Sequence, residues 1–342
     1  MKNIIFFRAD RLGDFLIITN IIKVLKDKFP KSKITVVASQ LNYHFIKKFK
    51  IVDRVILFNK NYSFLKKIDI FKTINDRNYD ASFSVDGKSF SNLCTFFLNS
   101  KLKLGLIYKS RVLGIPFYKP NLLFNFIFNY YETFTSKEYL HKIEHLPTKL
   151  TNLANKLSFN INSKDKYYFV PAIKEKDFKK KFGKNIRKKF VLVHLDEKWN
   201  DIKDIETELL RHLIKFQKSI KMNLIITAKD NHYIYFKRFK YFLNKNKYDK
   251  ITLLNNLDLN IMERLINHSV YSISCHSGFL VQIAGCNKTQ IIDIINKKDF
   301  MWYSCWKPLN TKHKFVYKSN FNEKLKLKSI FKQIITASKS FR

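Results

Sequence analysis

The sequence predicts an α/β protein built from two doubly wound parallel-sheet domains in tandem. Three observations carry that expectation. Short apolar, β-branched runs alternate with segments of helical periodicity, the signature of strands joined by crossover helices. The alternation occupies the first half and starts again in the second, after a polar stretch at 160–166. The chain's 342 residues exceed a typical domain of about 100–200, and 46% of them are hydrophobic, enough to supply two cores.

In the first half, residues 3–7 read as a buried strand and 15–29 as a helix, apolar at 15, 18, 21, 22 and 25 and stopped by Pro30. Residues 33–38 form a β-branched strand, 41–49 a helix, 54–58 a strand and 62–74 a helix. The alternating run 80–85 leads into Asp86-Gly87, a turn pair, and 102–107 closes the series. From about 108 to 135 the pattern loosens through Pro116, Pro120 and the aromatic stretch 122–131, before a helical segment near 137–157.

The boundary is set near 160–172, giving domains 1–165 and 166–342 with a cleft between them. In the second, strands are expected at 190–194, 223–227, 250–254, 270–274 and 290–294. Helices are expected at 206–219, 232–243, 260–267, 279–286 and 330–337, the last packing back on the first domain. Doubly wound sheets bind ligands at the carboxyl ends of their strands, so the loops there are the first place to look for chemistry.

Composition narrows the function classes. The aromatic content of 15% excludes intrinsic disorder, and seven Gly with six Pro exclude collagen-like or low-complexity architecture. Sixty-five Lys and Arg against 27 Asp and Glu give a net charge of +38, a field that attracts nucleic acid, anionic lipid surfaces or phosphorylated substrates. Compositional drift toward Lys, Ile, Asn and Phe is the competing explanation. Cys94, Cys275, Cys286 and Cys305 are widely spaced, suggest neither a zinc site nor a disulfide framework, and fit a reducing cytoplasm. The apolar start Ile4-Ile5-Phe6-Phe7 is broken by Arg8 and Asp10, too short for a secretory signal, and 15–25 is too short to span a bilayer. A cytoplasmic protein, at most peripheral to the inner membrane, is expected.

Three loops could carry chemistry. In Arg8-Ala9-Asp10-Arg11-Leu12-Gly13-Asp14, Gly13 permits a tight turn or close approach of a ligand. Asp14, at the start of the following helix, is either an N-cap or a general base, with Arg8 and Arg11 as anion contacts. His194-Leu195-Asp196-Glu197-Lys198-Trp199 follows the first strand of the second domain. Lys198 there could neutralise a phosphate, and Trp199 could plug the core beneath. Ser274-Cys275-His276-Ser277-Gly278 links a strand to a helix, whose N-terminal amides suit a phosphate; His276 could equally be a packing residue. Walker A, GxGxxG, HExxH, GxSxG and DxD patterns are all absent from the sequence, and no carboxylate cluster suggests a divalent metal. Asp196-Glu197 and Asp201 with Asp204 read as solvated or capping acids.

The order of these segments resembles glycosyltransferase family 9, which includes the heptosyltransferases of lipopolysaccharide core assembly. The resemblance rests on Arg8-x-Asp10-Arg11-Leu12-Gly13-Asp14, on Leu25-x3-Phe29-Pro30-x3-Ile34-Thr35-Val36-Val37, and on Val52-Asp53-Arg54-Val55-Ile56. It continues through Val191-Leu192-Val193-His194 with Lys198-Trp199, Leu224-Ile225-Ile226-Thr227 and 274–284, so it spans roughly residues 1–295. It implies a GT-B architecture of two Rossmann-like domains, an inverting mechanism without a required metal or other cofactor, and a nucleotide-sugar donor. By position, Asp14 matches the family's catalytic base and Lys198 a lysine at the donor phosphates; His194 falls in the same donor region. Ser277 and Gly278 match the middle of the family's Asp-Thr/Ser-Gly-x-x-His donor motif. Here its Asp is His276 and its His is Val281, so ADP-heptose stays one candidate donor among others.

The expected acceptor is a phosphorylated saccharide or glycolipid, held by the first domain near an anionic membrane, with the aromatics of 122–131 as a contact. Two rivals remain: a catalytically silent relative that binds sugar nucleotide, and a basic nucleic-acid-binding protein, disfavoured because Lys and Arg are spread through every segment without a reading motif.

Overall fold

The alternating segments resolve into two parallel sheets, each clothed by helices. The computed structural model describes residues 1–109, 111–112, 115–116, 126–171, 173–186, 189–202, 204–228, 234–320 and 323–341. They form two units: Met1–Val170 with Ser304–Trp306, and Pro171–Tyr303 with Lys307–Arg342.

In the first unit the strands are β1 (Asn3–Arg8), β2 (Lys33–Ala38), β3 (Arg54–Leu57), β4 (Tyr79–Ser84), β5 (Ser100–Lys109), the short antiparallel pair β6 (Arg111–Val112) and β7 (Ile115–Pro116), and β8 (Tyr130–Thr135). The main sheet is parallel throughout, in the order β3-β2-β1-β4-β5-β8. A parallel sheet is covered on both faces, which is why its central strands are continuous apolar runs: Ile4, Ile5, Phe6 and Phe7 are all fully buried. Phe6 lies opposite Phe83 on β4, and the two rings stack with centroids 4.5 Å apart.

Three expectations change here. The helix read at 15–29 is two helices, Leu12–Ile17 and Thr19–Lys28. At the break the Thr19 hydroxyl donates to the Leu16 carbonyl at 2.7 Å and accepts from the Tyr168 amide at 2.9 Å. Such side-chain bonding competes with a continuous helical ladder. The segment near 137–157 divides into a 3-10 turn, Lys137–Tyr139, and a helix, Leu146–Asn155, because Pro147 fits only the first turn of a helix. The loosened aromatic region contributes β8, which pairs with β5 at the sheet edge. Residues 122–125 of that stretch and Pro120 lie outside the described residues. Phe128 is buried against Gly105, where an added Cβ would come within 2.5 Å of its ring.

The second unit repeats the scheme with β9 (Phe190–His194), β10 (Asn223–Ala228), β11 (Ile251–Asn255), β12 (Tyr271–Ser274), β13 (Gln290–Asn296), β14 (His313–Asn320) and β15 (Glu323–Lys324). Their order is β11-β10-β9-β12-β13-β14-β15, parallel except for the terminal β15. The helix expected from residue 232 is described from Ile234 to Lys245, residues 232 and 233 lying outside the described set. The last helix, Leu327–Lys339, does not leave this unit. Leu327, Ile330, Phe331 and Ile334 are buried in the second core, and Phe331 meets Phe216 of the helix Ile205–Ile220 edge to face at 6.1 Å. Among the described residues, no helix is long and apolar enough to cross a membrane.

Candidate functional site

In each sheet the chain runs outward from its first strand and then returns to the other side of it. The reversal lies between β1 and β4 in the first unit and between β9 and β12 in the second. The carboxyl ends of two adjacent strands diverge at such a point and leave a crevice. The three loops singled out by sequence stand at these two places.

In the second unit, His194 ends β9 beside Ser274 at the end of β12. His194 Nδ1 is 3.0 Å from the Thr227 hydroxyl, and its carbonyl accepts from Trp199 Nε1 at 3.0 Å. Trp199 is fully buried, so it is the plug beneath the loop. Asp196 caps the 3-10 turn Glu197–Asp201 by accepting from the Lys198 amide at 3.2 Å. Burial pushes the Asp196 carboxyl up to about 6 despite nearby Lys198, so it caps without being fully solvated.

Lys198 Nζ crosses to the other loop and donates to the His276 carbonyl at 2.7 Å. His276 adopts a left-handed conformation, φ 51°, sparsely populated by residues other than glycine. Lys318 Nζ braces the Lys198 carbonyl at 2.6 Å and Asp201 at 3.2 Å. Ser277 then caps the helix Gly278–Asn287, its amide donating to Ser274 Oγ at 3.3 Å and its hydroxyl accepting from Leu280 at 3.5 Å. Gly278 is the first helical residue, and a Cβ there would meet nothing within 4 Å. A cation is thus pinned beside an uncovered helix N-terminus, a combination suited to an anion. His194, Lys198, His276, Ser277 and Gly278 all belong to this one crevice.

The first unit gathers acids instead. Arg8 is completely buried at the end of β1, so it is not a free anion contact. Its Nε donates to the Asp14 carbonyl at 2.8 Å and its Nη1 to the Val85 carbonyl, with Asp10 at 3.3 Å and Asp14 at 3.9 Å. Asp14 is not an N-cap. The helix begins one turn earlier than expected, Arg11 is its cap, and Asp14 at the third position accepts from the Arg11 amide at 3.2 Å. Its carboxylate keeps 21% exposure. Arg11 is exposed, and Gly13 is buried in the first helical turn rather than making a tight turn.

Sequence reasoning missed Asp10, Asp86 and Tyr108. Burial pushes the Asp10 carboxyl up to about 8, against the pull of Arg8. Asp86 is buried and raised in the same direction, and it accepts from the Ala9 amide, the Lys88 amide and the Ser91 hydroxyl at 3.2, 3.0 and 2.8 Å. Gly87 follows at φ 66°, where an added Cβ would sit 1.9 Å from the Tyr108 ring. The Asp86-Gly87 pair directly after a strand was the available signal. Among the described residues no cluster of His, Cys, Asp and Glu could hold a metal ion.

No protein-family model and no curated protein matches the sequence. Solved structures do. A glycosyl transferase family 9 protein from Veillonella parvula matches with a TM-score of 0.70 at 13% identity, over 99% of this chain and 97% of that one. The E. coli ADP-heptose lipopolysaccharide heptosyltransferase II gives 0.65 at 11% identity, over 100% and 98%. The E. coli heptosyltransferase WaaC, solved with ADP, gives 0.62 at 16%, over 99% and 98%. At these identities the likeness fixes the fold: two Rossmann-like domains of the GT-B type.

Proposed function

We propose that the protein is an inverting, metal-independent glycosyltransferase that moves a sugar from a nucleotide donor to a phosphorylated saccharide or glycolipid. The observation that carries this reading is the Lys198–His276 bond, which fixes a cation beside the open helix N-terminus at Gly278. That arrangement suits the diphosphate of a nucleotide sugar, and the fold it sits in is shared with the family 9 protein and the two heptosyltransferases. WaaC's structure with ADP keeps ADP-heptose as the first donor to try.

In the proposed reaction Asp14 takes the proton of an acceptor hydroxyl. The hydroxyl oxygen bonds to the anomeric carbon from the face opposite the diphosphate, and the bond from that carbon to the diphosphate oxygen breaks. Preorganised donors, here Lys198 and the amides at Ser277-Gly278, stabilise the charge that develops on the leaving group. The Arg8–Asp14 contacts hold the carboxylate in place for its step. Acceptor binding is assigned to the first unit. Contact of that unit with an anionic inner-membrane surface is supported by its exposed Phe64, Leu65, Phe97 and Phe126 and by the +38 charge.

A thermal-shift screen across nucleotide sugars tests the reading, because a ligand that binds the native state raises the melting temperature. A shift with ADP-, UDP- or GDP-sugars, lost in Lys198→Ala, is the expected result. No shift with any of them removes the donor site. A shift without transfer to any acceptor would point to a silent sugar-nucleotide binder, and a shift with nucleic acid alone to the basic-protein alternative.

A further inference from the structure

We propose that the helix Ser89–Phe97 and the start of the helix Phe64–Ile74 form the surface by which the first unit lies on an anionic bilayer. This rests on the membrane contact proposed above and names the elements that make it. Both helices cover one face of the first sheet: Ile74 of one and Cys94 of the other are buried in a single cluster with Ile5, Phe7 and Val37 of the strands. A helix between a sheet and water is expected to turn its large apolar residues inward. Ser89–Phe97 does the reverse. Its inner side is small and largely polar, with Ser91, Cys94 and Thr95 buried. The Ser91 hydroxyl donates to Asp86 and the Thr95 hydroxyl to the Ser91 carbonyl, each at 2.8 Å. Its outer side carries Leu93, Phe96 and Phe97, spaced i, i+3 and i+4 and exposed by 57%, 41% and 59%.

The outer rings are held in place. Phe97 meets Phe96 at 4.8 Å and Phe71 of the neighbouring helix at 6.3 Å, both edge to face. Lys103 Nζ donates to the Phe96 carbonyl at 2.7 Å and ties down the last turn. Phe64 stands two turns before Phe71 on the same side of its helix, and with Leu65 it is about three-quarters exposed, so the apolar surface of one helix continues onto the other. Contiguous apolar surface of this kind marks a place of contact. Its surroundings say with what. Residues 59–72 carry Lys60, Lys66, Lys67 and Lys72 against Asp69 alone. The next acids along the chain are already engaged, Asp76 by Arg54 and Arg77 and Asp80 by Lys101. Large rings set among lysines match a bilayer, whose surface is anionic and whose interior is hydrocarbon. A second copy of a chain carrying +38 brings like charges together at this face, which argues against a dimer. The helix Ser89–Phe97 therefore lies along the membrane surface, its rings at the boundary between headgroups and acyl chains.

Vesicles of phosphatidylcholine, alone or mixed with phosphatidylglycerol, are the probe, and the full chain is used throughout. The double variant Leu93→Gln, Phe97→Gln changes exposed positions of the helix, so its melting temperature and its thermal shift with donor nucleotide should match wild type. Its affinity for the anionic mixture should fall by about tenfold or more. Phe64→Gln with Leu65→Gln, at the exposed start of the other helix, should weaken binding in the same direction and decides the matter if the first variant does not fold. Tyr241→Gln with Phe242→Gln is the control: these rings are exposed on the second unit's helix Ile234–Lys245, and their loss should leave vesicle binding unchanged. Wild-type binding in both first-unit variants, or an equal loss in the control, overturns the assigned surface. A wild type that sediments as a dimer and becomes a monomer in Leu93→Gln, Phe97→Gln gives the face to a second copy and overturns the bilayer. Either outcome leaves the glycosyltransferase reading standing, because donor thermal shifts and transfer to a water-soluble acceptor fragment test that separately.

Discussion

Replacing Gly278 by Val separates folding from binding at the donor site. The position is exposed, its φ is not in the left-handed region, and an added Cβ meets no atom within 4 Å. The fold therefore has no need of glycine there. Lower chain entropy in the unfolded state and the better helix propensity of valine act in the same direction, so stability should equal wild type or exceed it by up to about 1 kcal/mol. A ligand resting on the amides at 278 and 279 meets the new side chain instead. Losing one charge-assisted hydrogen bond costs about 1.5–3 kcal/mol, so donor affinity should fall by roughly 10- to 100-fold. Gly87→Val is the contrasting control: at φ 66° and 1.9 Å from the Tyr108 ring, it should lose about 3 kcal/mol or more of stability. Paired thermal melts and calorimetry with pyrophosphate, and with the nucleotide sugar of largest thermal shift, make the comparison. Undiminished affinity in a folded Gly278→Val protein would refute the phosphate cradle.

Three further outcomes are expected. Lys198→Ala should weaken nucleotide-sugar binding by about 1–3 kcal/mol in calorimetry while leaving acceptor binding unchanged, because its half-buried ammonium is the cation fixed at the crevice. Asp10→Asn should stabilise the protein at high pH. The folded carboxyl titrates near 8 and the unfolded one near 4, so the wild type loses stability as pH rises through that window. The variant should therefore melt alike at pH 4 and be more stable by roughly 1–3 kcal/mol at pH 9. Vesicle co-sedimentation should show binding to anionic lipid that weakens between low and physiological salt; equal, negligible binding to anionic and neutral vesicles would leave the charge as compositional drift.

The architecture was legible because buried parallel strands write themselves as apolar runs, as at Ile4-Ile5-Phe6-Phe7 and Val191-Leu192-Val193. Elements without contrast were not. The helix Ser89–Phe97 buries Ser91, Cys94 and Thr95 and leaves Leu93, Phe96 and Phe97 exposed, so its large apolar residues do not mark the face that packs. β14 is rich in Lys and polar residues, and β8 lay in a region that looked irregular. The donor crevice could be read in part, since Lys198 and Ser277-Gly278 are local signals at strand ends. Its partners could not: the Asp293 carboxylate lies 2.7 Å from His276 Nδ1, 17 residues away in sequence, and 3.3 Å from His313 Nε2, further still, so only the sheet order β12-β13-β14 brings them together. Asp10 was visible as a residue, but its raised pKa depends on burial beside Arg8, a tertiary fact.

The central claim is that Asp14 acts as the base in sugar transfer. Its structural part is a hydrogen bond from the Arg11 amide, which an Asn side-chain oxygen can also accept, and a longer ion contact with Arg8 at 3.9 Å, with Asp10 still beside that guanidinium in the variant. Asp14→Asn should thus melt within a few degrees of wild type and bind donor nucleotide with unchanged affinity. With the donor identified by thermal shift, turnover should fall by roughly 10²-fold or more, the scale of a lost general base. An Asn variant that transfers sugar at the wild-type rate would contradict the account.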